Sequence, residues 1–328
     1  MDVAALIQGV LAGDRRAAAR AISMVEDGDD DLPSISEAVF PKAGRAYTVG
    51  LTGSPGVGKS TLAAGLVADA RGRDETVAVL AIDPTSPFSG GALLGDRVRM
   101  QSHATDPGVF IRSMATRGHL GGMSLAAPEA VRILDAAGHD LVIVETVGVG
   151  QAEVEVAGAT DTTLVVVAPG WGDAVQVAKA GILEVADVFV VNKADREGVD
   201  EAVRDLNLMI RMGPHRAWTP PVVRASASSG DGVADVRAAI ERHREYLQSS
   251  GELDEGRRRR ALEEVQNLIG AELRRSASSL LADRAGAKVA DELAARRLDP
   301  YRAAAALLEL IRSGSGTFAV HPDAAEDA

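Results

Sequence analysis

The run Gly53-Ser54-Pro55-Gly56-Val57-Gly58-Lys59-Ser60 fits G-x-x-x-x-G-K-[S/T], a spacing suited to the phosphate tail of a nucleoside triphosphate. Its glycines let the backbone curl until several N–H groups face one anion. Lys59 supplies a compact positive charge for the β- and γ-phosphates. The Ser60 hydroxyl is an oxygen ligand for Mg²⁺. The candidate phosphate-binding residues are therefore Gly53, Ser54, Pro55, Gly56, Val57, Gly58, Lys59, Ser60 and Thr61, with Lys59 also a candidate catalytic residue. Tyr47 to Thr52 reads as a short strand and Thr61 to Ala70 as a helix. The loop thus sits where a helix N-terminus adds its partial positive charge.

A second group lies far downstream. Val188-Phe189-Val190-Val191 reads as a buried strand and runs into Asn192-Lys193-Ala194-Asp195. This N-K-x-D pattern is suited to reading guanine. The Asp195 carboxylate can accept from guanine N1–H and the exocyclic amine, a donor pair that adenine lacks. An adenine nucleotide would leave that carboxylate unpaired. The Lys193 stem would cover one face of the base, and Asn192 would tie this turn back to the phosphate loop. Further on, Val222-Val223-Arg224-Ala225 leads into Ser226-Ala227-Ser228, a loop whose backbone could support the guanine carbonyl.

Between these anchors lie candidate metal ligands. The strand ending at Ile82 delivers Asp83, followed by a proline- and glycine-rich stretch and then Gly95-Asp96-Arg97. Asp83 and Asp96 are candidates for the Mg²⁺ shell, because hard cations take carboxylate oxygens; Gly-Asp at 95–96 is also ordinary turn composition. Leu141-Val142-Ile143-Val144 delivers Glu145, then Thr146-Val147-Gly148-Val149-Gly150-Gln151. Glu145 is read as holding Mg²⁺ directly or through water, and Gly148 as letting its N–H approach the γ-phosphate. The position just after that glycine, where a water-orienting glutamine is common, is Val149. Gln151 is the candidate two residues on. Slow intrinsic hydrolysis, stimulated by a partner or by dimerisation, is the expectation. Pro169-Gly170-Trp171-Gly172-Asp173 opens a third candidate switch. Lys179, on the helix that follows, is read either as solvated or as functional.

These residues need a scaffold that gathers them at one edge. Strands are predicted at 46–52, 76–82, 108–112, 140–145, 162–168, 187–191 and 221–225. Helices are predicted near 59–71, 124–137, 173–184, 198–211 and 231–246. The alternation gives the fold class: α/β, a doubly wound, mostly parallel sheet. Several strands are apolar on both faces, as burial between helix layers demands. Residues 1–44 are expected to be an N-terminal helical extension lying apart from this core, and 45–248 the nucleotide-binding domain. Residues 249–312 are expected to be a C-terminal helical arm, with helices at 252–282, 286–296 and 300–312, and 313–328 a flexible tail. The arginines at 257–260 read either as a solvated helix face or as a docking patch.

Composition sets further bounds. A formal net charge of −12 argues against a duplex nucleic-acid partner and an anionic membrane surface. The chain has no cysteine, so disulfides and thiolate metal sites are excluded. No stretch reaches the ~18 apolar residues of a membrane helix. Met1-Asp2-Val3 does not open a basic-then-apolar leader, so a cytoplasmic protein is expected.

Taken together, the chain resembles the MeaB/ArgK/MMAA family of P-loop GTPases, which assist adenosylcobalamin-dependent acyl-CoA mutases. The resemblance spans roughly residues 3–312. It is carried by the 53–61 loop, Ala81 to Ser86, Gly95-Asp96-Arg97, Gly121-Gly122, Glu145 to Gln151 and Val191 to Asp195. It implies GTP and GDP as ligands, Mg²⁺ served by Asp83, Asp96 and Glu145, and a homodimer formed through the C-terminal arm. It further implies that GTP state gates loading of adenosylcobalamin into a mutase, methylmalonyl-CoA mutase or a relative, with Pro169 to Lys179 as the communicating switch and Lys179 at the position of a functional lysine. Trp171 and Ala180 depart from the family pattern, which bears on partner choice. Three rivals remain. A metallochaperone GTPase is disfavoured by the absence of cysteine and by six scattered histidines. A kinase or transport ATPase is disfavoured by the guanine pattern. A nucleotide-gated interaction module with negligible turnover is compatible with Val149.

Overall fold

The computed structural model describes residues 2–84, 103, 105–116, 122–146, 156, 158–170, 184–214 and 216–313, with backbone alone at 83–84, 115–116, 122–125, 284–285 and 313. Asp96, Gly148, Val149, Gln151, Trp171, Lys179, Ala180, most of the helix expected at 173–184 and the tail from 314 lie outside the described residues. The described residues divide into two compact units, which meet in sequence at Glu264 and Val265.

The first unit is built on seven parallel strands: β1 (Tyr47–Thr52), β2 (Val77–Pro84), β3 (Val109–Thr116), β4 (Leu141–Thr146), β5 (Thr162–Val167), β6 (Val188–Val191) and β7 (Val222–Arg224). Their order is β3-β2-β4-β1-β5-β6-β7. The helices are α1 (Val3–Leu11), α2 (Arg15–Asp27), α3 (Leu32–Val39), α4 (Lys59–Arg71), α5 (Gly122–Ala136), α6 (Val199–Met212), α7 (Val233–Ser250) and the first part of α8 (Glu252–Ala282). The second unit comprises the rest of α8, α9 (Arg284–Ala294) and α10 (Pro300–Ser313).

The strand sequences explain the layering. Every residue of β1, β4 and β5 is buried. Alternate side chains enter opposite cores, so neither face can be polar. Val49, Leu51, Ile143, Leu164 and Val166 pack with α4 and α7 on one face. Val142 and Val144 pack with α5 on the other, and Val165 and Val167 pack there with α6. β1 lies between β4 and β5, where the chain's winding reverses. Open α/β sheets place their ligand crevice at that point, beyond the carboxyl ends of the strands.

The N-terminal helices are not apart from this core. Leu6 and Val10 of α1, Ala21 and Ile22 of α2, and Ile35 and Val39 of α3 share one buried cluster with Leu80, Ile133 and Val144. The physical reason is amphipathicity: their apolar faces need a partner, and α5 with the β2–β4 side of the sheet provides one. Arg112 on edge strand β3 adds an ion pair to Glu26 at 2.5 Å and a bond to Ser23 at 2.9 Å. The Asp135 carboxylate accepts from the N–H groups of Gly44, Arg45 and Ala46, fixing the chain's entry into β1.

The four arginines separate by face. Arg258 and Arg259 are exposed, whereas Arg257 and Arg260 turn inward onto Asp161, just before β5. Arg257 donates to both Asp161 oxygens, at 3.1 and 2.7 Å, and to the Gly44 and Ala46 carbonyls. Neither a wholly solvated face nor a docking patch describes the run, because spacing of three on a helix puts two of the four on the inner side. Burial would push the Asp161 carboxyl up. The Arg257 hydrogen bond, the Arg260 and Arg257 charges and the Thr48 N–H outweigh it and hold the carboxyl below its ordinary range. Its contribution to stability is therefore present above the ordinary aspartate pKa of about 4 and is lost as pH falls through the lowered folded value.

In the second unit, α9 and α10 bury Val289, Ala303 and Leu307 with Leu280 and Leu293. On α8, Val265, Leu268, Ile269 and Leu273 are exposed large apolar residues. No described helix is long and apolar enough to cross a membrane.

Replacing Asp161 with Asn should cost roughly 2–4 kcal/mol, below the full cost of a broken buried pair because both guanidiniums keep partial contact with water. Urea unfolding near neutral pH checks this, and the gap between wild type and D161N should narrow in acid.

Candidate nucleotide-binding site

Loop and helix are joined by backbone in the region that favours glycine. Gly53, Gly56 and Gly58 have φ of 136°, 79° and 96°. A Cβ on Gly53 would lie 2.1 Å from the Val166 carbonyl oxygen, so the loop starts pressed against β5. Gly58 occupies the N-cap of α4, and a Cβ there would lie 2.4 Å from Asn192 Nδ2. Val57 is buried in the core beneath the loop. Pro55 and Gly56 are exposed, while Lys59 and Ser60, the first residues of α4, are buried.

The polar side chains converge. Lys59 Nζ donates to the Gly53 carbonyl at 2.6 Å and to that of Ser54 at 3.1 Å. The ammonium therefore lies within the curl that its charge would serve. Ser60 Oγ donates to Glu145 Oε1 at 2.6 Å, and Glu145 is 3% exposed. Register explains the meeting: Glu145 of β4 stands opposite Leu51 of β1, one turn of loop away from α4. A hydroxyl and a carboxylate at hydrogen-bond distance form an oxygen donor set of the kind Mg²⁺ takes, so these residues fit that ion. Asp83 lies at the same carboxyl edge, on β2, where it stands opposite Ala115 of β3.

The two downstream loops are tied to the phosphate loop through one residue. Asn192 is 2% exposed. Its Nδ2 donates to the Val57 carbonyl at 2.9 Å and to that of Gly58 at 3.4 Å, and its Oδ1 accepts from Ala227 N–H at 3.0 Å. Its own N–H bonds the Val167 carbonyl at 2.8 Å. Lys193 has φ of 59°, which turns its side chain back so that Nζ reaches the Gly56 carbonyl at 2.6 Å. Ala194 N–H donates to the Ala225 carbonyl at 3.0 Å, joining the two base-side turns. Asp195 and Ser228 are exposed, and Ser226 is buried.

Thus Gly53 to Thr61, Asn192 to Asp195 and Ser226 to Ser228 gather at one edge with Glu145. The left-handed Lys193 and the dependence of Gly58 on Asn192 were not legible in the sequence, since both arise from contacts across more than 130 residues. The Ser229-Gly230-Asp231-Gly232 stretch, which holds the last loop, had only its turn composition as a signal.

A parallel sheet whose central strand delivers a glycine loop to a helix N-terminus, with an Asn-Lys-x-Asp turn bonded to that loop, defines a nucleotide-binding protein of the P-loop GTPase class. A model of the family described as methylmalonyl-CoA mutase-associated GTPase MeaB matches residues 18–280. A Pyrococcus abyssi protein bearing a GTPase name is 46% identical over 313 residues, spanning 94% of this chain and 97% of its own. The mitochondrial methylmalonic aciduria type A homolog of Caenorhabditis elegans is 36% identical over 276 residues, 78% of this chain and 69% of its own. The crystal structure of a LAO/AO transport system kinase superposes with a TM-score of 0.70 at 28% identity, covering 94% of this chain and 97% of that one. The chain belongs to the MeaB family of GTPases.

Gly58→Ala should weaken GDP binding by about tenfold or more, because strain at positive φ and displacement of Asn192 together cost on the order of 1–3 kcal/mol. Isothermal calorimetry, with thermal melting to establish that the variant is folded, measures it.

Proposed function

We propose that the protein binds and hydrolyses GTP and that its nucleotide state gates adenosylcobalamin loading into an acyl-CoA mutase, with methylmalonyl-CoA mutase the first candidate. The observation that carries the nucleotide reading is the Asn192 bridge, which makes base-side and phosphate-side loops one unit. In this reading Asp195 accepts from guanine, Lys193 covers the ring, and the Ser226-Ala227-Ser228 backbone faces the guanine carbonyl. Lys59 neutralises phosphate charge. Ser60 and Glu145, with Asp83 and Asp96, hold Mg²⁺. The ion supplies charge neutralisation at the β- and γ-phosphates. Gly148 and Gln151 act at the γ-phosphate end, and Lys179 belongs to the switch that communicates with the mutase. The mutase role is supported by the family's description and by the name of the Caenorhabditis elegans relative. The protein need not contact cobalamin itself. The reading includes a cytoplasmic location.

A homodimer belongs to the same reading. The exposed Val265, Leu268, Ile269 and Leu273 of α8 recur at spacings of three and four, an apolar stripe of the kind that a second helix covers.

Calorimetry with Mg²⁺ should give a strong preference for guanine over adenine nucleotides. Equal affinities would overturn the nucleotide reading. Glu145→Ala should lower Mg²⁺-dependent hydrolysis more than GDP affinity; equal losses would remove its metal role. Pull-downs with methylmalonyl-, isobutyryl- and ethylmalonyl-CoA mutases, in GDP and GTP-analogue states, should retain one of them in a nucleotide-dependent way, and retention of none would remove the mutase role. Ile269→Asp should shift sedimentation from dimer to monomer.

A further inference from the structure

The loop after β7 is held from behind by residues that the nucleotide reading does not use. Ser226 N–H donates to the Asp231 carbonyl at 2.8 Å, closing a small antiparallel bridge. The Ser226 carbonyl accepts from the N–H groups of Ser229 and Gly230 and from Ser229 Oγ, each at 3.0 Å. Ser229 Oγ lies 2.7 Å from Asp231 Oδ2, and its single proton is shared between that carboxylate, the nearer and charged acceptor, and the Ser226 carbonyl. Gly232 then has φ of 75°, and a Cβ on it would lie 2.2 Å from the Arg224 carbonyl oxygen and 3.0 Å from Ala225 Cα. The loop's exit is thus pressed against its entrance, at the end of β7.

The closure leaves one donor unspent. Among the backbone N–H groups of Ser226-Ala227-Ser228, the first goes to Asp231 and the second to Asn192 Oδ1. That of Ser228 donates to none of the described residues, and Ser228 is exposed. Asn192 anchors the same loop to the Val57 and Gly58 carbonyls, so the free N–H is fixed relative to the phosphate loop.

We propose that Ser229, Asp231 and Gly232 form a clamp that positions the Ser228 N–H against the six-position oxygen of a guanine base, making them positioning residues for base specificity. This rests on the guanine reading above. A turn that merely started α7 would need Gly232 as the N-cap, and a serine or aspartate there would serve as well. The contact with the Arg224 carbonyl excludes any side chain, and the Ser229 hydroxyl serves the loop rather than the helix. Fixing a lone donor in advance matters because its bond to the base then costs little ordering.

The experiment compares GDP, IDP and 2-aminopurine riboside diphosphate by calorimetry on wild type, Ser229→Ala and Gly232→Ala, with ADP as reference. IDP keeps the six-position oxygen and lacks the amine; the 2-aminopurine nucleotide keeps the amine and lacks the oxygen. Gly232→Ala should weaken GDP and IDP by about tenfold and Ser229→Ala by about threefold, each leaving the 2-aminopurine nucleotide unchanged. Equal loss for all three nucleotides, or no loss for any, overturns the clamp. If Gly232→Ala does not fold, the exposed Ser229→Ala decides by the same pattern. A wild type that binds GDP no better than ADP overturns the guanine reading instead, and the clamp with it.

Discussion

The site depends on the side chain of Asn192. It is short, buried and uncharged, and it makes hydrogen bonds in two directions across 135 and 35 residues of sequence. A buried amide left unsatisfied is costly, so each bond it makes also holds the others. Because its donors hold the phosphate loop and its acceptor holds the Ser-Ala-Ser loop, the spacing of the two loops is set by one residue rather than by loop flexibility. The absence of a side chain at Gly58 is the matching constraint, since a methyl group there would occupy the position of the amide.

Glu145 and Ser60 pose the opposite problem. A carboxylate at 3% exposure requires compensation, and the Ser60 hydroxyl supplies part of it. The pair is brought together by register, β4 against β1, and not by local sequence. That arrangement makes the Glu145–Ser60 pairing a property of the sheet, while the opposite end of the site is a property of two loops stitched by one amide.

Local signals were strong enough to reveal most of the scaffold. Continuous apolar runs such as Leu141 to Val144 read as strands because both faces are buried, and the helix after Gly58 begins at Lys59 as its loop demands. The seven parallel strands and their helix layers follow from that alternation. What remained illegible was pairing at a distance. Leu6, Ile22 and Ile35 advertised amphipathic helices, but nothing local told which surface would cover them. The inward turn of Arg257 and Arg260 depended on a single aspartate about a hundred residues earlier. At the site, residue types were legible and so was one contact, the tie from Asn192 to the phosphate loop; the others were not: Lys193 could be read as a base-covering stem, yet its bond to the Gly56 carbonyl is visible only in three dimensions.

The inward arginines carry an evolutionary consequence. The root of the long helix is wired into the beginning of β5 by a carboxylate that water barely reaches. Neither end of that wiring can drift alone, since a neutral residue at 161 strands two cations and a neutral pair at 257 and 260 strands an anion. Among descendants of a common ancestor the three positions should change in concert, and transplanting the helical arm between distant cousins should succeed only when its aspartate travels with it.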